Sequence, residues 1–338
     1  MSGRYSRQIL FSDIGEEGQR RIRDSKVVIV GCGALGSVSA EMLTRAGIGQ
    51  LKIIDRDFVE ESNLQRQSLF SDKDAQQGLP KAAVAERVLK GINSEVYCKG
   101  IIEDVTWENM ARLCKDSHII MDGTDNFETR FLINDFSILE GVPWMYGACV
   151  GSYGVAFAFQ PGKTACLQCL LEQPPQVGTT ETCETAGILA PVVHAVAAFQ
   201  VTQALKICIG KTPEPKLLQV DVWTGNWRTI AAGTARSEEC PCCSGRRLRF
   251  LEGEEKSRLT RLCGRNAVQI SPQHPTRLDF KVVHKRLAQQ AQVDFNGYMM
   301  RILVDGYQIA LFADGRSIIR GTEDFSKARA VYAKYIGS

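Results

Sequence analysis

Residues 26–55 open with KVVIVGCGALGS and close with LKIID. KVVIV is a short, unbroken β-branched run, the pattern of a strand buried on both faces. LKIID is a second such strand, ending at Asp55. The stretch between them is long enough for a helix, predicted over 37–46, and strands joined this way run parallel. No other feature restricts the fold as much. The three glycines that follow the first strand have separate tasks. Gly31 permits a tight turn, Gly33 lets a ligand approach the backbone, and Gly36 lets helix and strand pack closely. The helix N-terminus then offers free N–H groups and a positive dipole end to an anion. Asp55 is placed to accept hydrogen bonds from ribose hydroxyls. A nucleotide site is expected here, although glycines in a purely structural turn would read the same way.

The pattern continues beyond this unit. SEVYCKGII (94–102), HIIMD (118–122), PWMYGACV (143–150) and GVAFAF (154–159) read as strands, with helical patterns at 80–91, 107–114 and 128–140. Alternation of this kind predicts an α/β fold: a Rossmann-like, mostly parallel sheet with helices on both faces. After CPCCSG (240–245) the character changes. A basic stretch leads to a helical face carrying Phe280, Val283, Leu287 and Ala291, then to two Asp-Gly turns within 298–321 and a last helix with Ala328, Val331, Tyr332 and Tyr335. Asp-Gly between apolar runs is a strong hairpin signal. The expected organisation is a nucleotide-binding domain over 1–245 and a small α+β domain over 246–338.

SNLQRQ (62–67) follows soon after Asp55 and is rich in amide and guanidinium groups. Asn63 and Arg66 can reach over phosphates, Lys81 opens the next helix with an ammonium, and Arg7 adds a guanidinium if the N-terminal arm folds over a site. Each alone reads as readily as a solvated surface charge. Together they suit a ligand carrying more charge than a bridging pyrophosphate. In IIMDGTDNFETR (119–130) a strand ends at Asp122, and Asp125 follows in the loop where open α/β sheets bind ligands. A carboxylate facing polyphosphate needs a divalent cation between them, and Mg²⁺ binds in that way. The competing reading is a turn or helix-cap Asp.

The chain holds twelve cysteines. Cys166-Leu-Gln-Cys169 and Cys240-Pro-Cys-Cys243 are two separated C-x-x-C pairs, which read as a four-thiolate zinc site with no open position and hence a structural role. Cys242, inside the second pair, is not expected to be a ligand. Cys183 stands in PPQVGTTETCETAG (174–187), a Pro-, Gly- and Thr-rich stretch, and reads either as a nucleophile or as an ordinary buried thiol.

A net charge of +3 over 338 residues is too mild for nucleic acid binding. The most apolar stretch, 186–210, is interrupted by His194, Gln200, Gln203 and Lys206, so it reads as a buried or interface helix and not as a membrane span. No signal-peptide pattern opens the chain, and the cysteine usage suits a reducing compartment; the cytoplasm is expected.

With RYSRQ, GCGALGS, DRDFVEESNLQRQ, LPKA, DGTDN, CLQC, TCETAG and CPCC in this order, the chain resembles the ThiF/MoeB-type adenylyltransferases of the ubiquitin-activating enzyme superfamily over roughly 4–245. The tail looks like the extension of longer ThiF-like members. The resemblance implies Mg-ATP-dependent adenylation of the C-terminal glycine carboxylate of a small ubiquitin-like sulfur carrier ending in Gly-Gly, with ATP, Mg²⁺ and Zn²⁺ as cofactors. It implies Gly31, Gly33 and Gly36 around the nucleotide and Asp55 on the ribose. Asn63, Arg66 and Lys81 fall on the phosphates, Asp125 on Mg²⁺, and Arg7 is supplied by the partner of a homodimer. Cys183 becomes a thioester or disulfide-linkage site for the carrier. Sulfur would come from a sulfurtransferase or cysteine desulfurase, and the tail would bind the carrier or another partner, or only stabilise the dimer. The pathway stays open among thiamine, molybdopterin, cysteine and tRNA thiolation. Two other readings compete: an NAD-dependent oxidoreductase, which leaves Asn63, Arg66, Lys81 and the cysteine pairs without a task, and a non-catalytic nucleotide-binding scaffold.

Overall fold

The structure, a computed structural model, describes residues 3–175, 181–183, 185–232, 235–255, 259–262, 266–272, 278–288 and 290–336. The chain separates into two compact units, Met1–Lys256 and Ser257–Ser338. The division falls after 256 and not after 245, because the basic stretch hides an apolar anchor. Phe250 packs its ring 4.9 Å from Phe131, and Leu248 joins the cluster around Cys166, Cys240 and Cys242. Asp135 fastens the same stretch by accepting the N–H groups of Phe250 (2.9 Å) and Leu251 (3.4 Å). Burial pushes the Asp135 carboxyl up to about 6 even though these N–H groups favour its charged form.

The first unit is built on an eight-stranded sheet. Its strands are β1 (Lys26–Val30), β2 (Gln50–Ile54), β3 (Tyr97–Ile101), β4 (Ile119–Asp122), β5 (Trp144–Val150), β6 (Tyr153–Phe159), β7 (Lys216–Asp221) and β8 (Asn226–Ala231). They lie in the order β3-β2-β1-β4-β5-β6-β7-β8. The first five are parallel, and β6, β7 and β8 are antiparallel additions. A two-residue turn at Gly151 and Ser152 forces β5 and β6 into a hairpin, since no crossover fits in that length. Apolar clusters lie on both faces. One gathers the helices Ala34–Ala46 and Lys81–Ile92, and another gathers Phe127–Glu140. Helix Ala190–Cys208, from the most apolar stretch, lies along β5 and β6 with Val192, Val193, Val196 and Ala197 buried. No helix among the described residues is long and apolar enough to cross a membrane.

Strand order reverses between β1 and β4, where β2 lies on one side and β5 on the other. In open α/β sheets this switch point leaves a crevice at the carboxyl ends of the strands, where ligands bind. Gly31, Asp55 and Gly123 follow directly on β1, β2 and β4.

The second unit is an antiparallel sheet with helices on one face. Its strands are β9 (Leu259–Leu262), β10 (Ala267–Ile270), β11 (Gln292–Phe295), β12 (Met299–Val304), β13 (Tyr307–Phe312) and β14 (Ser317–Arg320), in the order β11-β12-β13-β14-β10-β9. The Asp305-Gly306 turn has φ of 50° and 77°, the left-handed pair that a tight hairpin requires. Val283 and Leu287 of helix Phe280–Leu287 and Ala328, Val331 and Tyr335 of helix Phe325–Tyr335 close its core.

Candidate active site

The glycine turn is built by backbone crowding. Gly31 has φ +88°, and a Cβ there would stand 2.6 Å from the carbonyl oxygen of Gly123. A Cβ on Gly36 would stand 1.9 Å from the Gly31 oxygen. Neither position tolerates a side chain. Gly33 differs, because a Cβ would meet nothing nearer than the Gly123 oxygen at 3.7 Å and Gln67 Nε2 at 4.0 Å. Open space therefore lies over Gly33. The helix begins at Ala34, three residues before the predicted start, and Ser37 is the first residue to bond back within it (3.0 Å to Gly33 O). The N–H groups of Ala34, Leu35 and Gly36 have no partner inside the helix.

Asp55 is buried beside this turn. Its Oδ2 accepts from Cys32 N at 2.5 Å, and its Oδ1 from Asp57 N at 2.6 Å. Burial raises its pKa, Lys81 opposes that, and Asp57 adds to it; the net direction is up. Lys81, at the N-terminus of its helix, is only 3% exposed and places Nζ 3.5 Å from Asp57 Oδ2. Asn63 is buried in a short 3₁₀ turn, where its Oδ1 accepts from Glu60 N. Arg66 is half-buried and donates to Ser62 O at 2.8 Å. SNLQRQ thus forms a compact turn facing the glycine loop. Two neighbours escaped the sequence reading. Asp57 holds Lys81, and Arg56 makes a two-pronged pair with Asp104 at 3.2 and 3.0 Å. Burial works against the charge of Arg56, but Asp104, then Asp57 and Asp125, hold its pKa up.

The loop after β4 is preorganised. Asp122 accepts from Thr124 N (2.9 Å) and Thr124 Oγ1 (2.7 Å) through Oδ1, and from Arg130 Nε (3.0 Å) through Oδ2. Arg130 also donates to Thr124 O and Gly147 O, and its guanidinium lies 5.1 Å from the ring centres of Phe127 and Tyr146. Asn126 caps helix Phe127–Glu140 by accepting from Thr129 N. The turn and cap tasks thus fall to Asp122 and Asn126. Asp125 between them is exposed, with no hydrogen bond or ion pair among the described residues. Arg130, a residue inside a helix, gave no sequence signal, since a helical arginine ordinarily reads as a solvated charge.

Cys183 lies on the same side of the sheet. The β4–β5 register sets Gly123 level with Gly147, so Cys149, two residues further along β5, extends past the carboxyl ends. Cys183 Sγ donates to Cys149 O at 3.3 Å. Burial, and then the Cys183 thiol, push Cys149 up to about 12. Residues 176–180 and 184 of the Cys183 stretch lie outside the described residues. Arg7 is not brought to this crevice. Tyr5 packs on Gly47 and its hydroxyl accepts from Asn93, while Gln8 donates to Ala46 O. The N-terminal arm therefore docks at the far end of the 13-residue helix Ala34–Ala46, about 20 Å from the glycine turn.

The two C-x-x-C pairs converge. The sulfurs of Cys166, Cys169, Cys240 and Cys243 all lie within 4.8 Å of one another. Individual separations are 3.8 Å for Cys166–Cys169, 3.6 Å for Cys166–Cys240 and 3.5 Å for Cys169–Cys243. A tetrahedron with metal–sulfur bonds of ~2.3 Å has edges of ~3.8 Å, so the donor set fits a four-thiolate ion. Cys169 is the thiol held below the ordinary range. Burial opposes this, but the N–H groups of Ser237 and Cys166 and the neighbouring thiols outweigh it. Cys242 instead bonds to Asn134 and Asp135 and is not part of the cluster.

Residues 5–242 match the ThiF family model. The chain is 46% identical to the sulfur carrier protein ThiS adenylyltransferase of Bacillus subtilis over 338 residues, the full length of both. It is 36% identical to the SAMP-activating enzyme E1 of Haloferax volcanii over 242 residues, covering 71% of this chain and 88% of that one. Among solved structures, Escherichia coli MccB with ATP superposes with a TM-score of 0.62 at 25% identity, covering 72% of this chain and 75% of that one. The chain belongs to the ThiF family.

Proposed function

We propose that this protein binds Mg-ATP at the β1/β4 crevice and adenylates the C-terminal glycine carboxylate of a ThiS-type, ubiquitin-like sulfur carrier. The observation that carries the reading is Asp125, a carboxylate with no hydrogen bond or ion pair among the described residues, held on a preorganised loop near Arg56 and Arg130. Gly31, Gly33 and Gly36 seat the nucleotide at the helix N-terminus, and Asp55 takes the ribose. Lys81, Asn63 and Arg66 take the phosphates, with Lys81 exchanging Asp57 for phosphate oxygen. Asp125 would hold Mg²⁺, which would supply neutralisation of the phosphate charge. The carrier carboxylate attacks the α-phosphorus, the bond to the β-phosphate breaks, and pyrophosphate leaves. The attacking group is already ionised, so no general base is needed; positioning and charge stabilisation carry the step. AMP then becomes the leaving group when sulfur attacks the acyl carbon. A sulfurtransferase or cysteine desulfurase supplies that sulfur in the cytoplasm.

Arg7 serves the partner's site in a homodimer. Its distance from its own glycine turn supports this, as do the neighbouring Leu10 and Phe11, 71% and 59% exposed. Arg7→Ala should lose pyrophosphate exchange. Mixing it with an Asp125→Asn chain should restore about a quarter of wild-type activity, since half the dimers then carry one intact site. No recovery on mixing removes Arg7 from the partner's site.

Cys183 receives the carrier after adenylation. Cys183→Ser should keep carrier-dependent pyrophosphate exchange and lose sulfur transfer. Loss of both, or of neither, rules out a role confined to the second step. The four-cysteine cluster binds Zn²⁺ as a structural ion.

A further inference from the structure

Gln67 closes the SNLQRQ turn, with its N–H bonded to Asn63 O at 3.0 Å, and its side chain is only 4% exposed. Its Oε1 is buried and has no hydrogen-bond partner among the described residues. Its Nε2 lies 4.0 Å from the place a Cβ would take on Gly33. An unpaired buried carbonyl is costly, whereas a methionine of similar shape would fill this position without that cost. The amide nitrogen thus borders the open space over Gly33, at the N-terminus of helix Ala34–Ala46.

Resting on the nucleotide reading above, we propose that Gln67 is a nucleotide-contacting residue that holds the ribose–phosphate junction over Gly33. The junction offers what Nε2 matches: a phosphate oxygen that accepts from it. Arg66 and Lys81 carry charge and act on the phosphates that depart. Gln67 carries none and acts on the part that stays with the carrier as the adenylate.

This division is measurable by calorimetric titration of the full-length protein with AMP and with a non-hydrolysable ATP analogue, both with Mg²⁺. Gln67→Met should weaken both ligands by the same factor, about tenfold for one lost hydrogen bond to a charged oxygen. Gln67→Glu, which sets a carboxylate against phosphate, should weaken both further. Lys81→Ala should weaken the ATP analogue far more than AMP. Melting temperatures of the ligand-free Gln67 variants should stay within a few degrees of wild type. The proposal is overturned if Gln67→Met binds both ligands as wild type does, or loses the ATP analogue alone. It is also overturned if affinity falls only in step with a lowered melting temperature. A wild type that binds both ligands but gives no carrier-dependent exchange would defeat the adenylation reading and leave the Gln67 comparison intact.

Discussion

Asp125→Asn is expected to abolish carrier-dependent pyrophosphate exchange, by a factor on the order of 10²–10³ or more. The amide keeps the shape of the side chain and removes the charge with which it would share a divalent cation with phosphate oxygens. Asp125 is exposed and takes no bond among the described residues, so the fold should not notice the change. Its melting temperature should match wild type, since surface substitutions of this kind stay within about 0.5 kcal/mol. Asp122→Asn makes the contrasting control. Asp122 is buried and paired with the buried Arg130 at 3.0 Å. Removing one partner of such a pair costs about 3–5 kcal/mol, so that variant should lose activity and stability together. Wild-type exchange by Asp125→Asn would take Asp125 out of the mechanism.

The second large effect concerns the cysteine cluster. Metal analysis should find one zinc per chain, and Cys169→Ser or Cys240→Ser should lower the melting temperature by about 10 °C or more. The cluster joins residues separated by 74 positions, Cys166 to Cys240 and Cys169 to Cys243. Structural zinc sites contribute on the order of 10 kcal/mol to folding, and each kcal/mol is worth ~2–4 °C in a domain of this size. Cys242→Ser should retain the metal, because that thiol faces Asn134 and Asp135. Purified protein with no metal, and a melting temperature that ignores a strong chelator, would refute the zinc assignment.

What could be read from the sequence follows physical lines. The strand–glycine–helix–strand unit was legible because period and glycine spacing speak together, and four further strands fell where the apolar runs placed them. β7 and β8 went unread. Every residue of β8 is exposed, so no burial pattern marks it, and its strand character comes only from pairing with β7. The 246–255 stretch reads as the basic start of the small domain, yet Leu248 and Phe250 anchor it to the first unit. The cysteine cluster was legible from spacing alone. At the site, single-residue chemistry marked Asp55, Lys81 and Asp125. Asp57, Arg130 and Gln67 were not marked, because their meaning lies in whom they face: a buried lysine, a buried aspartate and an open glycine turn. Such partnerships arise only when distant segments meet.

In the proposed reaction ATP is cleaved between its α- and β-phosphates against a protein's terminal carboxylate. Incorporation of labelled pyrophosphate into ATP, measured with and without a ubiquitin-like carrier ending in Gly-Gly, tests it most directly. Exchange should depend on the carrier and vanish when its final glycine is deleted. No exchange with the carrier present, or exchange indifferent to its terminus, would contradict it.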